Sequence, residues 1–217
     1  MIVTKEMLRR CVARKQKQEA TPAVIEHAES SRQKVRDNYG LEWEGLDESF
    51  WHWVGRYEAH EMNPQETERP YKGLLICGPV GAGKTTLAKY LSCKFRRPYY
   101  PMQEIDKAYG VDPEQFYLDY STLYEHDTTV IIDDLGAEAG IKHYGNEPVT
   151  QSLLYDLYNL WDNYGKLVII TTNLLVGQNF QAEKNSITSL FGERIYSRFC
   201  EMFELVKVVK KDRRRDP

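Results

Sequence analysis

The octapeptide Gly78-Pro79-Val80-Gly81-Ala82-Gly83-Lys84-Thr85 constrains this chain more than any other feature. It fits the pattern of a glycine, four residues and then Gly-Lys-Thr that wraps a phosphate group. A loop of this kind turns tightly and points its backbone N–H groups inward, which Gly81 and Gly83 permit because they lack a Cβ. Lys84 is placed to bring a positive charge to the β- and γ-phosphates of a nucleotide, and Thr85 to offer its hydroxyl to Mg²⁺. The helix expected from Thr86 onward aims its positive N-terminus at the same anion. The flanks agree: Gly73-Leu74-Leu75-Ile76-Cys77 is a strand-type apolar run, and Thr86-Leu87-Ala88-Lys89-Tyr90-Leu91 has apolar residues at helical spacing. A glycine-rich surface turn would require neither. The chain is expected to bind a nucleoside triphosphate with Mg²⁺, through Gly78, Pro79, Val80, Gly81, Ala82, Gly83, Lys84, Thr85 and Thr86.

Three further segments carry chemistry. Val130-Ile131-Ile132-Asp133-Asp134 is a buried-strand run ending in two carboxylates, where ligands bind at the C-terminal edge of open α/β sheets. Adjacent acids on a strand face opposite sides, so one can hold Mg²⁺ while the other activates water, and the spacing does not say which. Leu167-Val168-Ile169-Ile170-Thr171-Thr172-Asn173 is another apolar strand ending in hydroxyls and an amide. Asn173 either bonds the γ-phosphate or the attacking water, or is a turn residue. In Gly192-Glu193-Arg194-Ile195-Tyr196-Ser197-Arg198-Phe199 the two arginines share a helix face. They are either solvated or a source of the positive charge that phosphoryl transfer needs in its transition state.

In this order, the four segments resemble the AAA+ ATPases, and within them the DnaC/IstB-like helicase-loader family. The resemblance covers residues 70–209 and implies an α/β P-loop fold, the AAA+ core, with a mostly parallel five-stranded sheet flanked by helices. It implies Walker A at Gly78 to Thr85, Mg²⁺ held by Thr85 and Asp133, and Asp134 as the acid that activates water. It further implies Asn173 as a sensor of the γ-phosphate, Arg198 as a finger reaching a neighbour's site, and Arg194 in support, so that Lys84, Asp134, Asn173 and Arg198 form the catalytic set. The implied activity is hydrolysis of ATP to ADP and phosphate, slow and stimulated by DNA or a partner. The implied partners are single-stranded DNA, a replicative DNA helicase to be loaded, and further copies of the chain when ATP is bound. An IstB-like transposition helper, with a transposase as partner, is the alternative.

Two departures matter. The second acid is Asp where most AAA+ proteins have Glu, and the shorter arm suits a switch better than a motor. About fifteen residues follow the finger helix, too few for a C-terminal helical lid; hydrolysis is therefore expected to depend on a partner subunit.

The net charge of −3 hides an uneven distribution. Residues 1–40 carry nine Lys/Arg against five Asp/Glu and residues 194–217 carry eight against four, which leaves the middle with 12 against 23. The basic ends either meet a polyanion or are solvated termini. Residues 1–40 read as a helical segment interrupted at Thr21-Pro22, whose small apolar stripe makes it either a packed helix or a docking arm. Residues 41–209 read as the ATPase domain and 210–217 as a basic tail. Leu46, Phe50, Trp53, Val54 and Tyr57 mark one helix face. Between the P-loop helix and Asp133 lie Tyr99, Tyr100, Tyr109, Phe116 and Tyr117, which either stack bases or fill the core. No apolar run approaches the ~20 residues of a membrane span. Four scattered cysteines without a Cys-x-x-Cys pair suit a reducing cytoplasm. A small-molecule P-loop kinase would need an arginine-rich lid and an acceptor pocket, and neither is found. A degenerate nucleotide module is disfavoured because Lys84, Thr85, Asp133, Asn173 and Arg198 are all intact.

Overall fold

The computed structural model describes residues 21–39, 46, 48–137, 149–177 and 183–208. Residues 21–39 and 48–71 form one compact unit, and residues 72–208 belong to the second. The sequence places a boundary near residue 40, whereas by contact the helix that follows groups with the N-terminal unit.

In the first unit the helix Pro22–Tyr39 starts at the proline that breaks the sequence pattern, since proline is tolerated in a first turn. It packs on the helix Glu48–Met62, whose Phe50, Trp51, Trp53, Val54 and Tyr57 are all buried. Trp53 is 0% exposed and stacks on Tyr57 with ring centroids 5.2 Å apart, so the tryptophans are core and not an open stacking platform. Residues 1–20 and 209–217, including the basic tail, lie outside the described residues.

The second unit is a parallel sheet with strands β1 (Gly73–Cys77), β2 (Tyr99–Pro101), β3 (Val130–Leu135), β4 (Val168–Thr172) and β5 (Phe203–Lys207). Every pairing is parallel, in the order β2-β3-β4-β1-β5. The expectation of a mostly parallel five-stranded sheet is met. Strands β1, β3 and β4 are almost wholly buried apolar runs, as expected where helices cover both faces. The order sets the site. Because β4 lies between β1 and β3, whatever follows β4 stands between the loop after β1 and the acids ending β3.

The helices agree with the sequence in most places. Asp112 caps the helix Pro113–Asp119, accepting from the N–H groups of Glu114 and Gln115 at 3.0 Å each. The Asp112-Pro113 start predicts a helix to about Tyr124; it ends at Asp119, and a single 3₁₀ turn, Ser121–Leu123, follows. Gly165 ends the helix Thr150–Tyr164 in the left-handed conformation. Proline suits a first helical position, which predicts a start at Pro148 for that helix; Pro148 is outside the described residues. Lys166, fully buried, donates to the carbonyls of Thr122, Glu125 and Thr128 and so holds the turn that enters β3.

Candidate nucleotide site

The loop after β1 has the geometry that its glycines allow. Gly81 and Gly83 have φ of 80° and 91°, a region that side chains with a Cβ rarely enter. Gly78 serves a different need: a Cβ there would stand 2.4 Å from the carbonyl oxygen of Val208, which continues the pairing of β5. The helix Lys84–Phe95 begins directly after Gly83, without a side-chain cap and without an acid in its first turn. Its first N–H groups therefore face an incoming anion with no competing carboxylate. Pro79 and Val80 form the exposed lip, Ala82 is buried beneath, and Thr85 and Thr86 are exposed on the first turn.

Lys84 is only 6% exposed. Its Nζ donates to the carbonyls of Gly78 and Pro79, both at 2.8 Å, and to Asn173 Oδ1 at 2.6 Å. Asn173 in turn donates through Nδ2 to Asp134 Oδ1 at 2.7 Å. The lysine, the amide and the second acid thus form one chain of hydrogen bonds across three adjacent strand ends. Burial holds the Lys84 ammonium below the ordinary lysine range, with Asp134 and Asp133 pulling it back. The Asp134 carboxyl is raised, first by burial and then by Asp133, with Lys84 opposing.

The two acids do take different partners, but not by simple strand alternation. The pairing of β3 with β4 slips between Ile132 and Leu135, and Asp134 sits at φ 60°. Left-handed backbone in a residue other than glycine concentrates at functional sites and is held there by its surroundings. Here the hydroxyls of β4 replace the lost ladder bonds. Thr171 Oγ1 accepts from the Asp134 N–H at 2.9 Å and donates to Asp133 Oδ1, while Thr172 Oγ1 donates to the Leu135 carbonyl at 2.7 Å. The other Asp133 oxygen accepts from the Tyr99 hydroxyl at 2.6 Å.

Sequence reasoning singled out the acids and Asn173 but missed the functional weight of Thr171 and Tyr99. The pair of hydroxyls at the end of β4 was a signal for the first. Thr171→Val is expected to remove an acceptor and a donor at once, lowering stability by about 3 kcal/mol, or roughly 6–12 °C in a thermal melt. Thr171→Ser, which keeps the hydroxyl, should recover most of that.

The residues fit a magnesium ion. Thr85 offers an exposed hydroxyl, and among the described residues the donors to Asp133 are two neutral hydroxyls, so its charge and remaining lone pairs stay available to a hard cation or its water. No cluster of three His, Cys, Asp or Glu that could hold another metal occurs among the described residues.

Arg198 lies on the helix Glu193–Met202, whose Ile195, Phe199 and Met202 are buried. Its guanidinium carbon is 4.3 Å from the Tyr155 ring centroid and 4.7 Å from that of Tyr158. Arg194, one turn earlier, is exposed. The aromatics considered for base stacking are mostly engaged inside. Tyr99 serves Asp133, Tyr100 bonds Thr122, and Phe116 is 1% exposed with Tyr109 packed edge-on against it. Tyr117 is 48% exposed, and its ring packs against those of Phe116 and Tyr124 with centroids 5.4 Å away in each case.

A phosphate loop, an acid pair and a polar residue at the ends of adjacent parallel strands define a P-loop nucleoside triphosphatase. The family model of the AAA proteins, ATPases associated with various cellular activities, matches residues 74–197, more than half of the chain. The chain belongs to that family. Its fold is similar to the crystal structure of the DnaC helicase loader, with a TM-score of 0.51 and 19% identity over 80% of this chain and 99% of that one. It is also similar to the crystal structure of DnaI, with a TM-score of 0.52 and 15% identity over 75% of this chain and 86% of that one. No curated protein sequence matches the chain. No helix among the described residues is long and apolar enough to cross a membrane.

Proposed function

We propose that this AAA protein is an ATP-driven helicase loader that assembles with ATP between its subunits, engages single-stranded DNA and delivers a hexameric replicative helicase. The observation that supports a switch is the hydrogen-bonded chain from Lys84 through Asn173 to Asp134. An arriving γ-phosphate draws Lys84 away from Gly78, Pro79 and Asn173, because a polyanion outcompetes neutral acceptors for an ammonium. Asn173 then loses its lysine partner and turns its amide toward phosphate or the attacking water, and Asp134 is released to orient that water. The raised Asp134 carboxyl makes it a better proton acceptor than an ordinary aspartate. Asp133 and Thr85 would hold Mg²⁺, directly or through its water, and the ion would supply positive charge against the charge developing on the phosphates. Arg198 supplies the neighbouring site with the remaining positive charge.

The partner assignment draws on the likeness of fold to a helicase loader and on the Gly192 to Phe199 segment. Of the aromatics between the P-loop helix and Asp133 considered for base stacking, Tyr117 is the most exposed, at 48%, and its solvent side is where a base would stack.

Capture from host lysate tests it, with Asp134→Asn as bait in ATP and Mg²⁺. Loss of the carboxylate should permit binding and stall hydrolysis, which traps the assembled state. The replicative helicase is expected in the eluate and absent with Lys84→Ala. A transposase in its place would make the protein a transposition helper, and recovery of neither would overturn the loader assignment.

A further inference from the structure

We propose that Tyr99 is a positioning residue for Mg²⁺, fixing the Asp133 carboxylate and tying it to the helix that carries Lys84 and Thr85. The geometry follows from the sheet. Tyr99 pairs with Ile131 on β3, and Asp133 lies two residues further on the same face. Two residues of strand span about 6.6 Å, the reach of an extended tyrosine side chain, and the hydroxyl arrives 2.6 Å from Asp133 Oδ2. That distance falls in the range of a charge-assisted O–H···O⁻ bond. Thr171 occupies the other oxygen. A carboxylate otherwise turns easily about its last torsion; with one hydroxyl on each oxygen it is held in a single orientation.

The chemistry of these donors matters as much as their position. A lysine or arginine here would cancel the charge of Asp133, whereas two neutral hydroxyls orient it and leave it anionic for a divalent ion. The ring has a second contact. Lys89 Nζ lies 5.7 Å from the Tyr99 centroid, and Lys89 is one helical turn beyond Thr85. Tyr99 therefore touches both sides of the metal site, the acid at the end of β3 and the helix bearing the hydroxyl ligand. Packing alone would be met by phenylalanine on this half-buried edge strand, so the hydroxyl is the part that a purely structural role leaves unexplained.

The inference rests on Asp133 holding Mg²⁺, and the test separates the two. ATP affinity of the full chain is measured in EDTA and across a Mg²⁺ series, for wild type and for Tyr99→Phe, Lys89→Ala and Asp133→Asn. Tyr99→Phe should match wild type in EDTA and need about tenfold more Mg²⁺ for half of the metal-dependent gain, as when other groups supporting a metal ligand are removed. Lys89→Ala, on an exposed helix face, should move the same midpoint in the same direction by about twofold to threefold. An unchanged Mg²⁺ midpoint in Tyr99→Phe overturns the proposal, as does an equal loss of affinity with and without metal. Should that variant fail to fold, an unchanged midpoint in Lys89→Ala overturns it instead. If Asp133→Asn keeps the wild-type Mg²⁺ dependence, it is the assignment of the metal ligand that fails.

Discussion

Lys84→Ala should weaken ATP binding about 100-fold or more, since two charged hydrogen bonds to phosphate contribute about 3 kcal/mol and each 1.4 kcal/mol is a factor of ten. The nucleotide-free protein should melt within about 2 °C of wild type, or slightly higher. These two outcomes belong together. Lys84 is buried, and its pKa is lowered with burial as the leading cause. A lysine titrating lower in the fold than in the unfolded chain costs stability at every pH below its folded value. That cost fades as pH rises toward the ordinary lysine range. Removing the side chain removes the cost, and the Gly78 and Pro79 carbonyls it leaves lie at the half-exposed lip of the loop, where water replaces it. A fluorescent-nucleotide titration beside a thermal melt checks both. ATP affinity within fivefold of wild type would show that the loop is not the nucleotide site.

The same lysine shows how far the site is legible in the sequence. The loop, its strand and its helix are local: glycines at fixed offsets, an apolar run before and helical spacing after. Asp133, Asp134 and Asn173 each announce themselves as polar residues ending an apolar strand. What joins them is not local. The bond from Lys84 to Asn173 spans 89 positions, and it exists because β4 is inserted between β1 and β3. Strand β2 was missed for a physical reason. Its three residues, Tyr99-Tyr100-Pro101, show no alternation, and proline is tolerated there because β2 is an edge strand, paired with β3. With β2 unseen, Tyr99 reads as one aromatic among several and its bond to Asp133 has no sequence signature. The bend at Asp134 is hidden likewise. Two adjacent acids on a regular strand take opposite faces, and only the slipped register shows that Thr171 and Thr172 complete the ladder with their hydroxyls.

Arg198→Ala should lower ATP hydrolysis about 10³-fold, the lower range for loss of an arginine finger, while each monomer binds ATP as before. Aromatic rings surround Arg198. Tyr155 and Tyr158 hold the guanidinium by their ring faces, and Tyr158 is steadied by a bond of 2.9 Å from its hydroxyl to Glu201. Among the described residues no carboxylate pairs with Arg198, and its buried Nη1 has no hydrogen-bond acceptor. Aromatic faces hold a cation without neutralising it, so the charge is kept, and the guanidinium has to leave the rings for its buried Nη1 to reach a phosphate. Losing the two ring contacts should cost only about 1–2 kcal/mol of stability, which separates a catalytic defect from unfolding. Mixing is the decisive measurement. Lys84→Ala has an empty site and an intact finger; Arg198→Ala has the reverse. In head-to-tail contacts the Arg198→Ala site facing the Lys84→Ala finger joins both working parts, and turnover of the mixture should rise well above that of either variant alone. A mixture that stays inactive while both variants still assemble would confine Arg198 to its own subunit and remove the shared-site mechanism.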